Sequence, residues 1–278
     1  MSAQPEFAGK SAIVTGGSQG VGRAVVERLL AGGLERALIV GRDQAKGDAA
    51  AADLGDGVSF VSADLSSVEG VEAVLAAADD AFPVPHVLVN AAALSDRGSV
   101  WDTDAALWDR LLHTNVRAPG MLITGVAHRL RAAGSPGAVV TIGSVAAHGG
   151  SDFLYPYSTS KAALAALTRN AAYTLMRHRI RVNLVQPGWI DTPNEDRVQR
   201  ELHDAPDDWL ERASDRLPFG RLIDPAELAR TVCFVASDAA GLMTGAVIDY
   251  DQSVRGAGEA PMPPPGQLLW GEPEEARP

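Results

Sequence analysis

Short β-rich apolar runs alternate with longer Ala-rich stretches along most of this chain, and that alternation leaves few folds open to it. The runs are SAIVTG (11–16), RALIVG (36–41), GVSFVS (57–62), HVLVN (86–90), GAVVTIG (137–143), RVNLVQ (181–186) and GAVIDY (245–250). Several are apolar nearly throughout, the pattern of a strand covered on both faces. Between them the sequence predicts helices over 20–32, 44–53, 67–81, 104–132, 156–178 and 225–237. Strands and helices in this order build right-handed βαβ units on a mostly parallel sheet. Seven strands with helices on both faces fit one doubly wound α/β domain over residues 1–253.

Two segments leave the pattern. Residues 191–219 are highly charged, with short amphipathic helices expected around 195–203 and 206–215. A strand-to-helix insertion on the ligand side of a sheet is a lid or substrate loop, or else a solvated excursion. The stretch 254–278 is too rich in Pro and Gly to continue sheet or helix, and reads as an extended strap or a disordered tail.

Charge removes several partners. Lys and Arg number 24 against 35 Asp and Glu, a formal net charge of −11. That balance repels phosphate backbones and anionic lipid, so neither nucleic acid nor membrane is an expected partner. No apolar run approaches the ~20 residues that span a bilayer, and no basic-then-apolar leader is visible, so a cytoplasmic protein is expected. Cys233 is the single cysteine, which leaves no internal disulfide and no thiolate metal cage; it reads as a small core residue.

The first strand runs into Thr15-Gly16-Gly17-Ser18-Gln19-Gly20-Val21-Gly22 and then a helix. Unpaired N–H groups and the positive dipole end at a helix N-terminus suit a pyrophosphate, and glycine is needed where a Cβ would hold it away. Any tight turn can use glycine, but the strand–turn–helix setting is the one nucleotide binding requires. At the end of the second strand stand Gly41 and Arg42, where an acid selects NAD and a cation NADP. The absent acid and the guanidinium fork favour NADP(H) over NAD(H), with a solvated arginine as the plain alternative. Asp43 reads as the N-cap of the next helix.

Tyr157 and Lys161 stand four apart, one turn apart on a single helix face. A phenol titrates near pH ~10, too high for efficient acid–base work at neutral pH. An ammonium about 5 Å away favours tyrosinate by about two pK units at an effective dielectric of ~20, and desolvation opposes it. Alone, such a pair is an ordinary helix-surface contact. Ser144, however, closes the buried run Val139–Gly143 at the carboxyl end of a strand, where open α/β sheets bind ligands. Asn115 lies inside a long helix, where its amide is unfavourable unless it hydrogen-bonds or faces water.

In that order these motifs resemble the classical short-chain dehydrogenases/reductases, over residues 8–253. TGGSQGVG is similar to that family's TGxxxGxG turn, Asp64-Leu65 to the pair after its third strand, and Asn90-Ala91-Ala92-Ala93 to NNAG. Ser144 precedes Tyr157 by the family's 13 residues, Tyr157-x-x-x-Lys161 is its signature, and Pro187-Gly188-Trp189-Ile190-Asp191-Thr192 resembles PGxIxT. The resemblance implies a Rossmann-type fold and an oxidoreductase that interconverts a secondary alcohol and a ketone. In it Tyr157 is the acid/base and Ser144 holds the substrate oxygen. Lys161 binds the nicotinamide ribose and lowers the Tyr157 pKa, and Asn115 orders a water relay. Gly16, Ser18, Gln19, Gly20, Val21, Gly22, Arg42, Asp64, Leu65, Asn90, Ala91, Pro187, Gly188, Ile190 and Thr192 join Tyr157 and Lys161 in holding the dinucleotide, with Asp64 at the adenine. Gln19 takes the place of a basic residue that some NADP-preferring members carry in the turn.

The chain departs from the pattern at Ala91 and Ala93, the latter tolerable at negative φ, and at Asp251-Gln252-Ser253 in place of Asp-Gly-Gly. The family resemblance also implies a homotetramer, or a homodimer. By position His148, Asp152, Phe153, Leu154, Trp189 and the 191–219 loop face the substrate, with His148 a loop hydrogen-bonding residue. This mixed lining suits a small polar hydroxy compound such as a sugar or polyol. A 3-oxoacyl-thioester reductase is the alternative activity, although the acid-rich loop lacks the basic patch an acidic carrier would want. A catalytically idle sensor or scaffold would have eroded Ser144, Tyr157 or Lys161, and all three are present.

Overall fold

The structure is a computed structural model and describes residues 6–254; the expected tail from 255 onward lies outside the described residues. Seven strands form one sheet: β1 (Ser11–Thr15), β2 (Arg36–Gly41), β3 (Val58–Ser62), β4 (Val87–Asn90), β5 (Gly137–Ile142), β6 (Ile180–Pro187) and β7 (Val247–Tyr250). Their order is β3-β2-β1-β4-β5-β6-β7, and every pairing is parallel. The sequence leads outward from β1 to β3 and then returns beside β1 as β4. That reversal opens a crevice at the carboxyl ends of β1 and β4.

The two-sided burial of β1 explains its unbroken apolar run. Ala12 and Val14 pack into one core with Val25, Val26 and Leu29 of α1 (Gly20–Ala31) and Leu228 and Val232 of α9 (Pro225–Ala236). Ile13, one residue out of phase, packs into the other core with Val71 and Val74 of α3 (Val68–Ala81) and Leu122 and Val126 of α5 (Ala118–Ala133). Cys233 is wholly buried in the first core, where burial pushes its thiol up to about 12. Asp43 caps α2 (Gln44–Leu54), its Oδ1 accepting from Lys46 N at 3.0 Å.

The predicted helix over 104–132 is helical throughout but not uniform. α4 (Ala105–Leu112) passes into a π segment, His113–Arg117, before α5. A π turn inserts a residue into the ladder and re-aims a side chain, and is common at functional sites. Here the re-aimed side chain is Asn115, which is 1% exposed.

α6 (Tyr155–Leu175) follows β5, and α7 (Pro193–His203) and α8 (Trp209–Asp215) occupy the charged insertion. That insertion is more than a solvated excursion. Trp209, Ala213 and Leu222 form a small core of their own with Trp189 and Leu217. Its two ends are clasped together, because Ile223 N donates to Trp189 O at 2.8 Å and Asp191 N to Ile223 O at 3.0 Å. No helix among the described residues is long and apolar enough to cross a membrane.

Candidate active site

The glycine turn sits at the mouth of the crevice. Gly16 has φ +70°, and a Cβ there would come within 3.0 Å of Ala92 N. At Gly22 a Cβ would lie 2.3 Å from Gly16 O, so the turn closes on itself only with glycine. Gln19, the N-cap of α1, makes no side-chain cap bond, and no acidic residue stands in the first turn. The helix N-terminus therefore offers uncapped donors and an unopposed dipole end to an anion. Thr15 Oγ1 ties the turn to the β4 end by accepting from Ala91 N (3.1 Å) and Ala92 N (3.0 Å). Ala93 is not among the residues with positive φ, so its methyl is accommodated.

Other expected cofactor residues gather around this turn. Gly20 faces Thr192, whose Cγ2 would be 3.6 Å from a Cβ at Gly20; Thr192 itself caps α7 through Glu195 N. Gly188 packs so closely on Asp251 that only hydrogen fits, and its N donates to Tyr250 O at 3.0 Å. Asn90 is buried; its Nδ2 donates to Thr141 Oγ1 at 3.3 Å, while Oδ1 has no partner. An orphaned buried acceptor beside a glycine turn marks a place where a ligand donor belongs. Together with the uncapped α1 end, it is a cradle that fits a dinucleotide.

At the edge of β2, Arg42 is exposed, its backbone held by Ser62 Oγ donating to Arg42 O at 3.0 Å. Asp64 is held below the usual carboxylate range by the Ser66 N–H, with Arg42 a smaller contributor. Lys46, absent from the expected set, reaches across from α2 to hydrogen-bond Gln19 Oε1. It stands two helical residues after Gln44, so the signal was a lysine in the first turn of the helix that follows Arg42. A neighbouring element thus brings a cation to the turn residue Gln19.

The proton-transfer residues converge at the end of β5. Ser144 begins a 3₁₀ turn, its Oγ accepting from Ala146 N at 3.1 Å, and its side chain lies close enough to Tyr157 to lower the pKa of the phenol. Lys161 is 3% exposed and donates from Nζ to Ile142 O at 2.9 Å, with Nζ 5.8 Å from the Tyr157 ring centroid. Burial alone pushes its pKa down to about 8. Burial also raises the Tyr157 pKa, against the side chain of Ser144 and the charge of Arg97, which both lower it. Desolvation thus sets the direction of the shift, and the cation that lowers the phenol here is Arg97. Lys161 spends its strongest bond on a main-chain carbonyl, not on the phenol.

Asn115 ties the site's backbone together. Its Oδ1 accepts from Leu94 N at 2.8 Å, and its Nδ2 donates to Leu94 O at 2.9 Å and Ser160 Oγ at 3.0 Å. Both amide hydrogens are used, so ordering a water at Asn115 is left to its carbonyl oxygens. His148 turns away to β7, where Nε2 meets Asp249 Oδ2 at 3.0 Å. Toward Tyr157 the structure brings in Arg97, which was outside the expected set, together with Glu195 and His203 from the 191–219 loop expected to face the substrate. Arg97 lies in the loop after β4, at the carboxyl edge where ligands bind, and that position was its signal. Glu195 and His203 belong to α7; Glu195 Oε1 accepts from Trp189 Nε1 and Gln199 Nε2, both at 2.7 Å.

An all-parallel doubly wound sheet with this glycine turn and a Ser–Tyr–Lys constellation at its carboxyl edge defines a dinucleotide-dependent oxidoreductase. A family model described as Enoyl-(Acyl carrier protein) reductase matches residues 16–253. The chain belongs to the classical short-chain dehydrogenases/reductases. It is similar to cis-4-hydroxycyclohexanecarboxylate dehydrogenase of Sinomonas cyclohexanicum, at 34% identity over 88% of this chain and 96% of that one. Similarity to the L-rhamnose 1-dehydrogenase (NAD(P)(+)) of Azotobacter vinelandii is 32% identity, over 87% and 95% of the two chains. Among solved structures, the L-sorbose reductase of Gluconobacter frateurii complexed with NADPH and L-sorbose superposes with TM-score 0.84 at 28% identity, over 90% of this chain and 98% of that one.

Proposed function

We propose that this short-chain oxidoreductase interconverts a secondary alcohol and a ketone on a small polar hydroxy compound such as a sugar or polyol, with NADP(H) preferred. The observation that carries the reading is the convergence of Ser144, Tyr157 and Lys161 at the carboxyl edge of the sheet, with the buried Lys161 Nζ 5.8 Å from the Tyr157 ring centroid. Relatives named for L-rhamnose, galactitol and L-sorbose support the substrate class.

The residues that would hold the dinucleotide are the turn Gly16–Gly22 with Ser18, Gln19, Gly20 and Val21, then Arg42, Asp64, Leu65, Asn90 and Ala91. Pro187, Gly188, Ile190 and Thr192 serve the other end. When bound, it supplies or accepts a hydride at the substrate carbon. In reduction, Tyr157 gives its proton to the developing alkoxide oxygen, to which Ser144 also donates a hydrogen bond. Lys161, with a pKa of about 8, is suited to return a proton to the phenolate near neutral pH. Asn115 acts as a positioning residue for Leu94 and Ser160. Helices α7 and α8 form the lid over this site. Arg42 and Lys46 support the NADP preference, because the 2′-phosphate calls for cations at this edge. Assembly of four copies belongs to the same reading, supported by the exposed apolar Trp101, Tyr173, Phe234 and Leu242.

The test is Tyr157→Phe, followed by NADPH absorbance across a panel of ketones and by NADPH fluorescence. Turnover should fall at least ~100-fold while coenzyme affinity holds. Retained turnover removes Tyr157 from the chemistry.

A further inference from the structure

Arg97 is half-buried in the site and lacks the partner that such a guanidinium ordinarily has. Its loop is pinned at both ends: Asn115 holds Leu94 through its backbone N and O, and Gly98 N donates to Phe153 O at 3.0 Å. Tyr155 N donates back to Gly98 O at 2.9 Å, which sets Arg97 beside the segment leading into Tyr157. From there its Nη1 donates to Ser95 O at 2.9 Å and its Nε to His203 Nε2 at 3.2 Å. The guanidinium carbon lies 5.6 Å from the Phe153 ring centroid, and Phe153 meets the His203 ring edge to face at 5.4 Å.

No carboxylate of the described residues closes the set. Among the described residues Arg97 makes no ion pair, although it is partly desolvated. Glu195 and Asp96 lie near enough to act on its charge, but neither comes within ion-pair distance; Glu195 Oε1 is bonded instead to Trp189 and Gln199. His203 accepts from Arg97 and so is neutral, consistent with the burial that lowers its pKa. Among the described residues the Nη2 donors make no bond. A buried cation with a free donor edge is costly unless an anion completes it.

We infer that Arg97 receives a carboxylate of the substrate, so that the hydroxy or oxo compound turned over beside Tyr157 is an acid, with Phe153 and Trp189 as the apolar walls around it. This narrows the small polar hydroxy compound of the oxidoreductase reading to a hydroxy or oxo acid in place of a neutral sugar or polyol, and rests on that reading. A carboxylate on Nη2 would have its charge neutralised where water is partly excluded, and its carbonyl end is then directed toward Tyr157 and Ser144.

The experiment measures NADPH oxidation with small cyclic and aliphatic oxo acids, each paired with its own methyl ester, for example 4-oxocyclohexanecarboxylate and methyl 4-oxocyclohexanecarboxylate. The wild-type protein should prefer the acid in kcat/KM by about 10- to 100-fold, the scale of one charge-assisted contact. Arg97→Met should erase that preference mainly through KM for the acid, and Arg97→Lys should restore part of it. Equal use of acid and ester by the wild type overturns the inference and leaves the oxidoreductase reading standing. The inference also fails if Arg97→Met lowers both substrates of a pair alike, since that is the behaviour of a lid latch. Absence of NADPH oxidation with every ketone overturns both.

Discussion

Asn115 grips the main chain of Leu94 with both ends of its amide, 21 residues away in sequence, accepting at 2.8 Å and donating at 2.9 Å. It also donates to Ser160, whose hydroxyl donates to Tyr157 O at 2.7 Å. One side chain thus fixes the loop that carries Arg97 and the helix that carries Tyr157. The π segment His113–Arg117 is the local distortion that aims it there.

Replacing that amide should therefore cost more than a surface change. Asn115→Ala strands Leu94 N and O inside the protein, and unpaired buried groups cost about 1–3 kcal/mol each. Urea unfolding should show a loss of roughly 2–4 kcal/mol, together with lower turnover. A loss below about 0.5 kcal/mol would mean that water satisfies these groups and that the grip is dispensable.

At the β2 edge, Arg42→Ala should weaken NADPH by about tenfold or more and barely change NADH, because only the former carries a phosphate for the guanidinium. Lys46→Ala should act in the same direction and more weakly, since its ammonium is exposed and partly engaged by Gln19. Fluorescence titration of both coenzymes decides the matter. Equal losses for the two would assign these cations to the surface and not to coenzyme choice.

Lys161 makes stability depend on pH in a calculable direction. Its pKa falls from 10.5 to about 8 on folding, through burial. Below pH 8 both states hold the proton, and the folded state bears the full cost of a buried ammonium. Between about 8 and 10.5 the unfolded chain binds the proton that the folded chain has lost, so this contribution to stability rises with pH. Lys161→Met removes a cost of roughly 3 kcal/mol at pH 7 and gives up the bond to Ile142 O, for a net gain of roughly 1–2 kcal/mol. Denaturant melts should show that gain shrinking by pH 10. A gain that does not change with pH would refute burial as its source.

Gly22→Ala tests the glycine turn. A Cβ placed 2.3 Å from Gly16 O cannot be relieved by moving a side chain, so the backbone of the turn must shift. The expected cost is about 1–3 kcal/mol of stability and most of the affinity for either coenzyme. Wild-type binding with unchanged stability would show that the turn has slack the geometry denies.

Much of this architecture is legible without coordinates because it is written in local periodicity. A strand covered on both faces must be apolar at every position, as Ala12, Ile13 and Val14 are, and a tight strand-to-helix turn must be glycine at Gly16 and Gly22. The i, i+4 spacing of Tyr157 and Lys161 is likewise a helix property visible in one dimension. Desolvation is not local. Only packing decides that burial outweighs neighbouring charge at Tyr157, or that Asn115 turns inward and His148 toward Asp249. The meeting of Arg97 with His203, 106 residues apart, and of Lys46 with Gln19 across two elements, depends on how loops from different crossovers converge at one sheet edge. A chain's own pattern dictates which faces must be covered, whereas the charges that end up side by side follow from the three-dimensional closure of those faces.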